Sequence, residues 1–184
     1  MESLRGQLLV AGPGLVDPNF RRSVVLVGEH GDEGAMGVVL NRPSAVSVAD
    51  AVEPLTDLPG LEGGSEPVYV GGPVQPQAIV VLGEFEEPDR AGALVFGTIG
   101  FLPGEIEDPA EVGELSRARV FAGYAGWSPG QLEDELEEGS WIVEPAEADD
   151  VFTGSPDDLW SAVLRRKGGP YGVLASMPPD PSLN

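Results

Sequence analysis

The sequence has no cysteine, one histidine, one lysine and no apolar run approaching the length of a membrane span. Each shortage excludes a class of chemistry. Without cysteine there are no disulfides, thiolate zinc sites or cysteine nucleophiles. A metal site would need clustered carboxylates or histidines at ligand spacing, and His30 stands alone. It could act as a base only against a serine folded onto it, and no G-x-S-x-G elbow is present. A turn or surface position is its expected role. No stretch reaches the roughly 18 apolar residues of a spanning helix. The opening MESLRGQLLVAG carries too short an apolar stretch for a signal-peptide core, so a cytoplasmic location is expected.

Cations are scarce as well. Ten Lys and Arg face 31 Asp and Glu, a net charge of −21. Such a surface favours solubility and opposes phosphate backbones and anionic membranes, so direct nucleic-acid binding is disfavoured. The imbalance is uneven. Residues 1–52 hold six acids and four bases, whereas residues 53–184 hold 25 acids and six bases. The near-neutral first third is the expected place for a site that takes an anion.

What remains is an ordinary globular composition, 41% hydrophobic and 22% charged, over 184 residues. That length suits a single domain, 1–184. Short β-branched runs predict strands at Gln7–Ala11, Ser23–Val27, Met36–Leu40, Pro67–Val70, Ala78–Gly83, Ala93–Phe96, Arg119–Ala122 and Trp141–Val143. The Gly- and Asp-rich link between the second and third predicts an antiparallel hairpin. A short helix is expected after Pro43, capped by Ser47, with Val48, Val52 and Leu55 on one face. GEIEDPAEVGEL reads as a loop or a short acidic helix. Ser128-Pro129 with Gln131 predicts a capped helix ended by Gly139. A second helix runs from Ser155, with acids in its first turn and Arg165, Arg166 and Lys167 in its last, as the helix dipole favours. The residues from 170 to 184 read as an extended, proline-rich tail. Strands first, helices later and hairpin links give an α+β class.

Two polar patterns could carry function. Asp17, Asn19, Arg21 and Arg22 precede the second strand, and Asn41 and Arg42 follow the third. A paired hairpin brings both groups to one end of the ladder. There they either grip a carboxylate or phosphate with forked guanidinium groups or brace the loop internally. The acid runs at Glu84–Asp89 and Glu133–Glu138 read as solvated faces, and Gly71-Gly72-Pro73 as a turn or bulge needing glycine's backbone freedom.

GQLLVAGPGLVDPNFRRSVVLVGEHGDEGAMGVVLNRP, then VYVGGPVQP, FAGYAGWSPGQLEDEL, Trp141, the Phe152 to Trp160 stretch and the terminal PSLN occur in one order. In that order the chain resembles the YqgE/AlgH family along nearly its whole length. Departures are mild: Ser128 stands where a glycine is expected, and residues 84–92 are unusually acidic. The resemblance implies a compact α+β domain with a large mixed, mainly antiparallel sheet flanked by a few helices. It implies no agreed activity, cofactor or metal, and some members carry the label of transcriptional regulator. It also marks Gly71, Gly72, Pro73, Trp127, Gly130, Gln131 and Glu133 as structural or interface positions. No basic recognition helix is present, so a regulatory role is expected to act through a protein partner. The alternative is a binder of small anions, or a hydrolase, built on Asp17, Arg21, Arg22 and Arg42.

Overall fold

Short apolar runs punctuated by glycine and proline fold as ten strands of one sheet in the computed structural model, which describes residues 2–58, 60–61, 64–104 and 109–177. The strands are β1 (Gln7–Ala11), β2 (Val24–Gly31), β3 (Gly34–Val39), β4 (Pro43–Ser47), β5 (Pro67–Val70), β6 (Val74–Phe85), β7 (Ala93–Phe96), β8 (Ile99–Phe101), β9 (Leu115–Trp127) and β10 (Trp141–Pro145). Five helices accompany them: α1 (Val48–Ala51), α2 (Gln131–Glu137), α3 (Ala148–Val151), α4 (Pro156–Lys167) and α5 (Pro170–Leu174). The main order is β10-β1-β2-β3-β9-β6-β8-β7, with β4 beside β5 and β5 beside β9. All pairings are antiparallel except β5 with β9, so the α+β class and the mixed, mainly antiparallel sheet are both observed.

Strand alternation divides the core between two faces. Leu8, Val10, Val24, Leu26, Val38, Leu40, Leu82 and Phe121 meet α4. Its stripe of Leu159, Trp160, Val163 and Leu164 is at most 4% exposed, and each such burial contributes about 1.5–3 kcal/mol. On the other face Leu9, Val25, Val27, Val39 and Ala125 meet Leu132 of α2, and further along Val68, Val81, Ala118 and Val120 meet Val48 and Leu58.

Two bulges make this division possible. Phe121 and Tyr124 both pack on the α4 side, three residues apart, because Gly123 (φ +76°) inserts one residue into β9. Ala118, Val120 and Ala122 can therefore share a face with Ala125 and Trp127. In β2 the pairing shifts between Val27 and Glu29, and the extra residue turns His30 toward α2.

Several expectations need correction. Pro43–Ser47 is a strand, and the predicted helix after it shrinks to four residues plus a 3-10 turn, Glu53–Asp57, though Ser47 does accept from the Asp50 N–H. α2 starts at Gln131, not beside Ser128, because Gly130 (φ +81°) breaks helical geometry just before it. Only half of the capping box forms, from the Ser128 N–H to Gln131 Oε1 at 2.9 Å. The tail is not extended where it is described: Pro170–Leu174 is helical and packs on α4. Residues 178–184 lie outside the described residues. So do 105–108 of the acidic segment, whose remainder holds a 3-10 turn at Pro109–Val112.

The sheet's β10 rim is covered. Lys167 Nζ donates to the Val143 carbonyl at 2.8 Å, and Arg166 Nη2 to that of Pro145 at 3.2 Å. Cations on an edge strand discourage pairing with another sheet.

Candidate functional site

The hairpin register gathers the predicted arginine cluster, and its hydrogen bonds show how each member is used. Arg42 donates to the carbonyls of Pro18 (2.8 Å), Asn19 (2.6 Å) and Arg21 (2.7 Å), clamping the loop that carries them. Burial lowers its pKa, and Asp17 opposes the shift. Asn41 closes the ladder, donating to the Arg22 carbonyl at 2.9 Å and accepting from the Val24 N–H at 3.1 Å. Asp17 accepts from the Asn19 backbone N–H at 2.8 Å. Arg22, in left-handed backbone geometry (φ +55°), lies 4.2 Å over the Trp160 ring and donates to the Met177 carbonyl. Arg21 is exposed, and its side chain makes no hydrogen bond or ion pair with a described residue, although its backbone N–H donates to the Asp17 carbonyl at 2.8 Å. The geometry is that of a brace on the loop, made through carbonyls and not through an ion pair with Asp17.

His30 differs from its expected turn position. It lies in β2 with its side chain 3% exposed. The Leu4 N–H donates to Nδ1 at 2.9 Å, which places the ring proton on Nε2, and Nε2 donates to Glu133 Oε1 at 2.5 Å. The hydrogen bond from His30 draws the Glu133 pKa below its ordinary value. Ser3 Oγ donates to the backbone carbonyl of His30 (3.3 Å), not to the ring. With both ring nitrogens engaged, the imidazole has no free lone pair for a nucleophile, and the group latches the N-terminal segment to α2.

Beside it, Trp127 and Trp141 both donate to Glu135 Oε1, and Gln131 Nε2 donates to Oε2 at 2.9 Å. Sequence reasoning marked Trp127 and Gln131 but not Glu135, whose i, i+4 spacing from Gln131 was the available signal. Gly71 and Gly72 serve close approach. A Cβ at Gly72 would sit 2.2 Å from the Tyr124 carbonyl carbon, and one at Gly71 would sit 2.3 Å from the Gly123 oxygen. Pro73 follows them, exposed, and Gly130 sets the start of α2. Arg119, also unmarked, is 8% exposed; it stacks 4.5 Å over Tyr69 and donates to the Thr153 carbonyl at 2.7 Å.

An apolar feature lies elsewhere. Val70, Ala122 and Ile79 sit side by side on β5, β9 and β6, and Val70 and Ile79 are 44% and 41% exposed. Ile79 continues into a groove of about 470 Å³ bordered by Met36, Leu55, Val81, Phe101 and Leu102. Met36 also borders an adjoining acidic groove with Glu29, Asp32 and Glu33. Among the described residues, no group of His, Asp and Glu is arranged to hold a metal ion, and no helix is long and apolar enough to cross a membrane.

Comparison with known proteins places this architecture. A UPF0301 protein of Streptomyces coelicolor is 48% identical over 194 residues, spanning all of this chain and 97% of the relative. A UPF0301 protein of Chlorobaculum tepidum is 38% identical, spanning 97% of this chain and 95% of its own. A crystal structure from Corynebacterium diphtheriae superposes with a TM-score of 0.82 at 30% identity, covering 94% of this chain and 91% of that one. The solution structure of the AlgH protein from Pseudomonas aeruginosa gives 0.71 at 32% identity, covering 95% and 94%. The AlgH-like family model matches residues 8–172. With the family model matched over residues 8–172 and relatives similar along the whole length, the chain belongs to the AlgH-like family of UPF0301 proteins.

Proposed function

We propose that this domain is a non-enzymatic interaction module that binds a protein partner through the apolar row on β5, β9 and β6. The observation that supports this reading is the exposure of Val70 and Ile79 beside the groove they adjoin. Single exposed aliphatics are ordinary, but a contiguous row opening into an apolar groove is a feature of interaction surfaces. Any regulatory effect then runs through that partner and not through nucleic acid, whose phosphates the net charge of −21 would repel.

The test places a photo-crosslinking amino acid at Gln77, exposed on β6 two residues before Ile79. The expected result is one protein, identified by mass spectrometry in repeated experiments, that binds again when both components are purified. Val70→Asp and Ile79→Asp should abolish that binding while leaving the melting temperature nearly unchanged. Absence of a reproducible adduct, or reconstituted binding indifferent to both substitutions, overturns the reading.

A further inference from the structure

Among the described residues, the groove runs along a stretch of the β6 edge that no strand covers. β6 pairs with β9 along most of its length, whereas β8 covers it only at Leu82–Glu84. Beyond that, the Leu102 N–H donates to the Val81 carbonyl at 3.0 Å. The Val81 backbone groups therefore point outward from β9, and by the two-residue period so do those of Ile79. A second bond agrees. The Ala122 carbonyl accepts from the Gly71 N–H on the β5 side of β9, so Ala122 and Ile79 form a pair that exchanges no hydrogen bonds. The Ile79 N–H and C=O thus face the groove, and no partner for them is found among the described residues. Ile79, Val80 and Val81 all border that groove, as consecutive residues do only where a strand presents its edge.

The electrostatics select the occupant. The residues bordering the groove include no cation, Asp57 is exposed two residues beyond Leu55, and the adjoining groove past Met36 carries Glu29, Asp32 and Glu33. A second copy would bring another net charge of −21 to this rim and be repelled. A segment carrying Lys or Arg is attracted.

We infer that the groove's occupant is a short extended segment of a partner protein, apolar in its centre and flanked by Lys or Arg, which joins the sheet as an added strand along β6 at Ile79. This inference rests on the interaction reading above and specifies its mode. Main-chain hydrogen bonds to Ile79 supply the register, while the apolar centre fills the space between Met36, Leu55, Phe101 and Leu102. The basic flanks meet the acids at the rim and steer the encounter.

The probe is a synthetic peptide, Lys-Arg-Val-Val-Thr-Val-Arg-Lys, titrated onto the full chain at low salt. Two N-methylated versions block its backbone N–H groups in alternating phases. Added-strand binding predicts that one phase weakens affinity by on the order of tenfold and the other leaves it nearly intact, because only one edge of the peptide faces β6. Hydrogen exchange at the Ile79 amide should slow on binding. Ile79→Pro removes that N–H without touching the β6–β9 ladder and should weaken the peptide while the protein remains folded. If Ile79→Pro fails to fold, the N-methylated pair carries the same test. A peptide with Glu in place of Lys and Arg should not bind.

Equal affinity for both N-methylated phases, an unchanged Ile79 amide, equal binding of the Glu peptide or no binding of the basic one each overturns the strand inference. The crosslinking result is independent of these. A reconstituted partner together with a failed peptide leaves the interaction reading standing, whereas a failed crosslinking experiment removes that reading whatever the peptide does.

Discussion

The indole N–H groups of Trp127 and Trp141 converge on one oxygen of Glu135, at 3.1 and 2.9 Å, with the two rings edge to face and their centroids 6.0 Å apart. The two tryptophans come from β9 and β10, which are not adjacent in the sheet, so a carboxylate on α2 joins strands that do not hydrogen-bond to each other. Both rings are buried, and among the described residues neither N–H has another partner. Glu135→Ala should destabilise the fold by about 2–3 kcal/mol, the cost of leaving buried donors unsatisfied. Glu135→Gln keeps an acceptor and should cost less. Urea denaturation followed by tryptophan fluorescence reports both.

The arginine cluster yields a contrast. Arg42→Lys replaces a fork serving three carbonyls with a point charge that cannot serve all three, and should cost about 2 kcal/mol. Arg21→Ala, which removes no hydrogen bond to a described residue, should change stability by less than about 0.5 kcal/mol. Chemical denaturation measures both. A large loss for Arg21 and none for Arg42 would remove the bracing account.

Acid should release the N-terminal latch. The folded-state pKa of Glu133 lies below its ordinary value because His30 donates to it. Its contribution to stability is therefore present above the ordinary carboxylate range and fades as pH falls through the depressed value. The difference in melting temperature between the wild type and Glu133→Ala should be largest near neutrality and vanish in strong acid. A difference that persists unchanged at low pH would show that the His30–Glu133 hydrogen bond is not its source.

Glycine at two positions is a requirement of packing. Gly72→Ala places a methyl 2.2 Å from the Tyr124 main chain, and Gly123→Val strains a residue at φ +76° that sets the phase of β9. Each should destabilise by about 3 kcal/mol or more, or prevent folding, as measured by soluble yield and thermal melting.

Sequence periodicity exposed the features that depend on one element at a time. The α4 stripe from Leu159 to Leu164 and its charged ends follow from the helical period and the dipole, and β1, β5 and β7 from compact apolar runs bounded by turn residues. The extent of β6 and β9 was hidden because Gly123 and the irregular stretch between Val74 and Ile79 break the alternation that announces a strand. The burial of His30 was hidden for a related reason. It depends on a one-residue shift in β2 and on a glutamate 103 positions away. Pairing two strands was enough to gather Asp17, Asn19, Arg21, Arg22, Asn41 and Arg42, but the carbonyl targets of Arg42 depend on how the loop folds back. The edge of β6 at Ile79, which no described strand covers, was beyond reach, since a neighbour that stops short leaves no local signal.

Lys167, held against the Val143 carbonyl, is the chain's single lysine. Amine-directed reagents therefore meet one side-chain target in the whole protein, at the rim of the sheet. Acylating it would remove the cation held against the Val143 carbonyl and leave Arg166 as the cation that still covers β10. The rate of that labelling would itself be a clock for how often the rim opens.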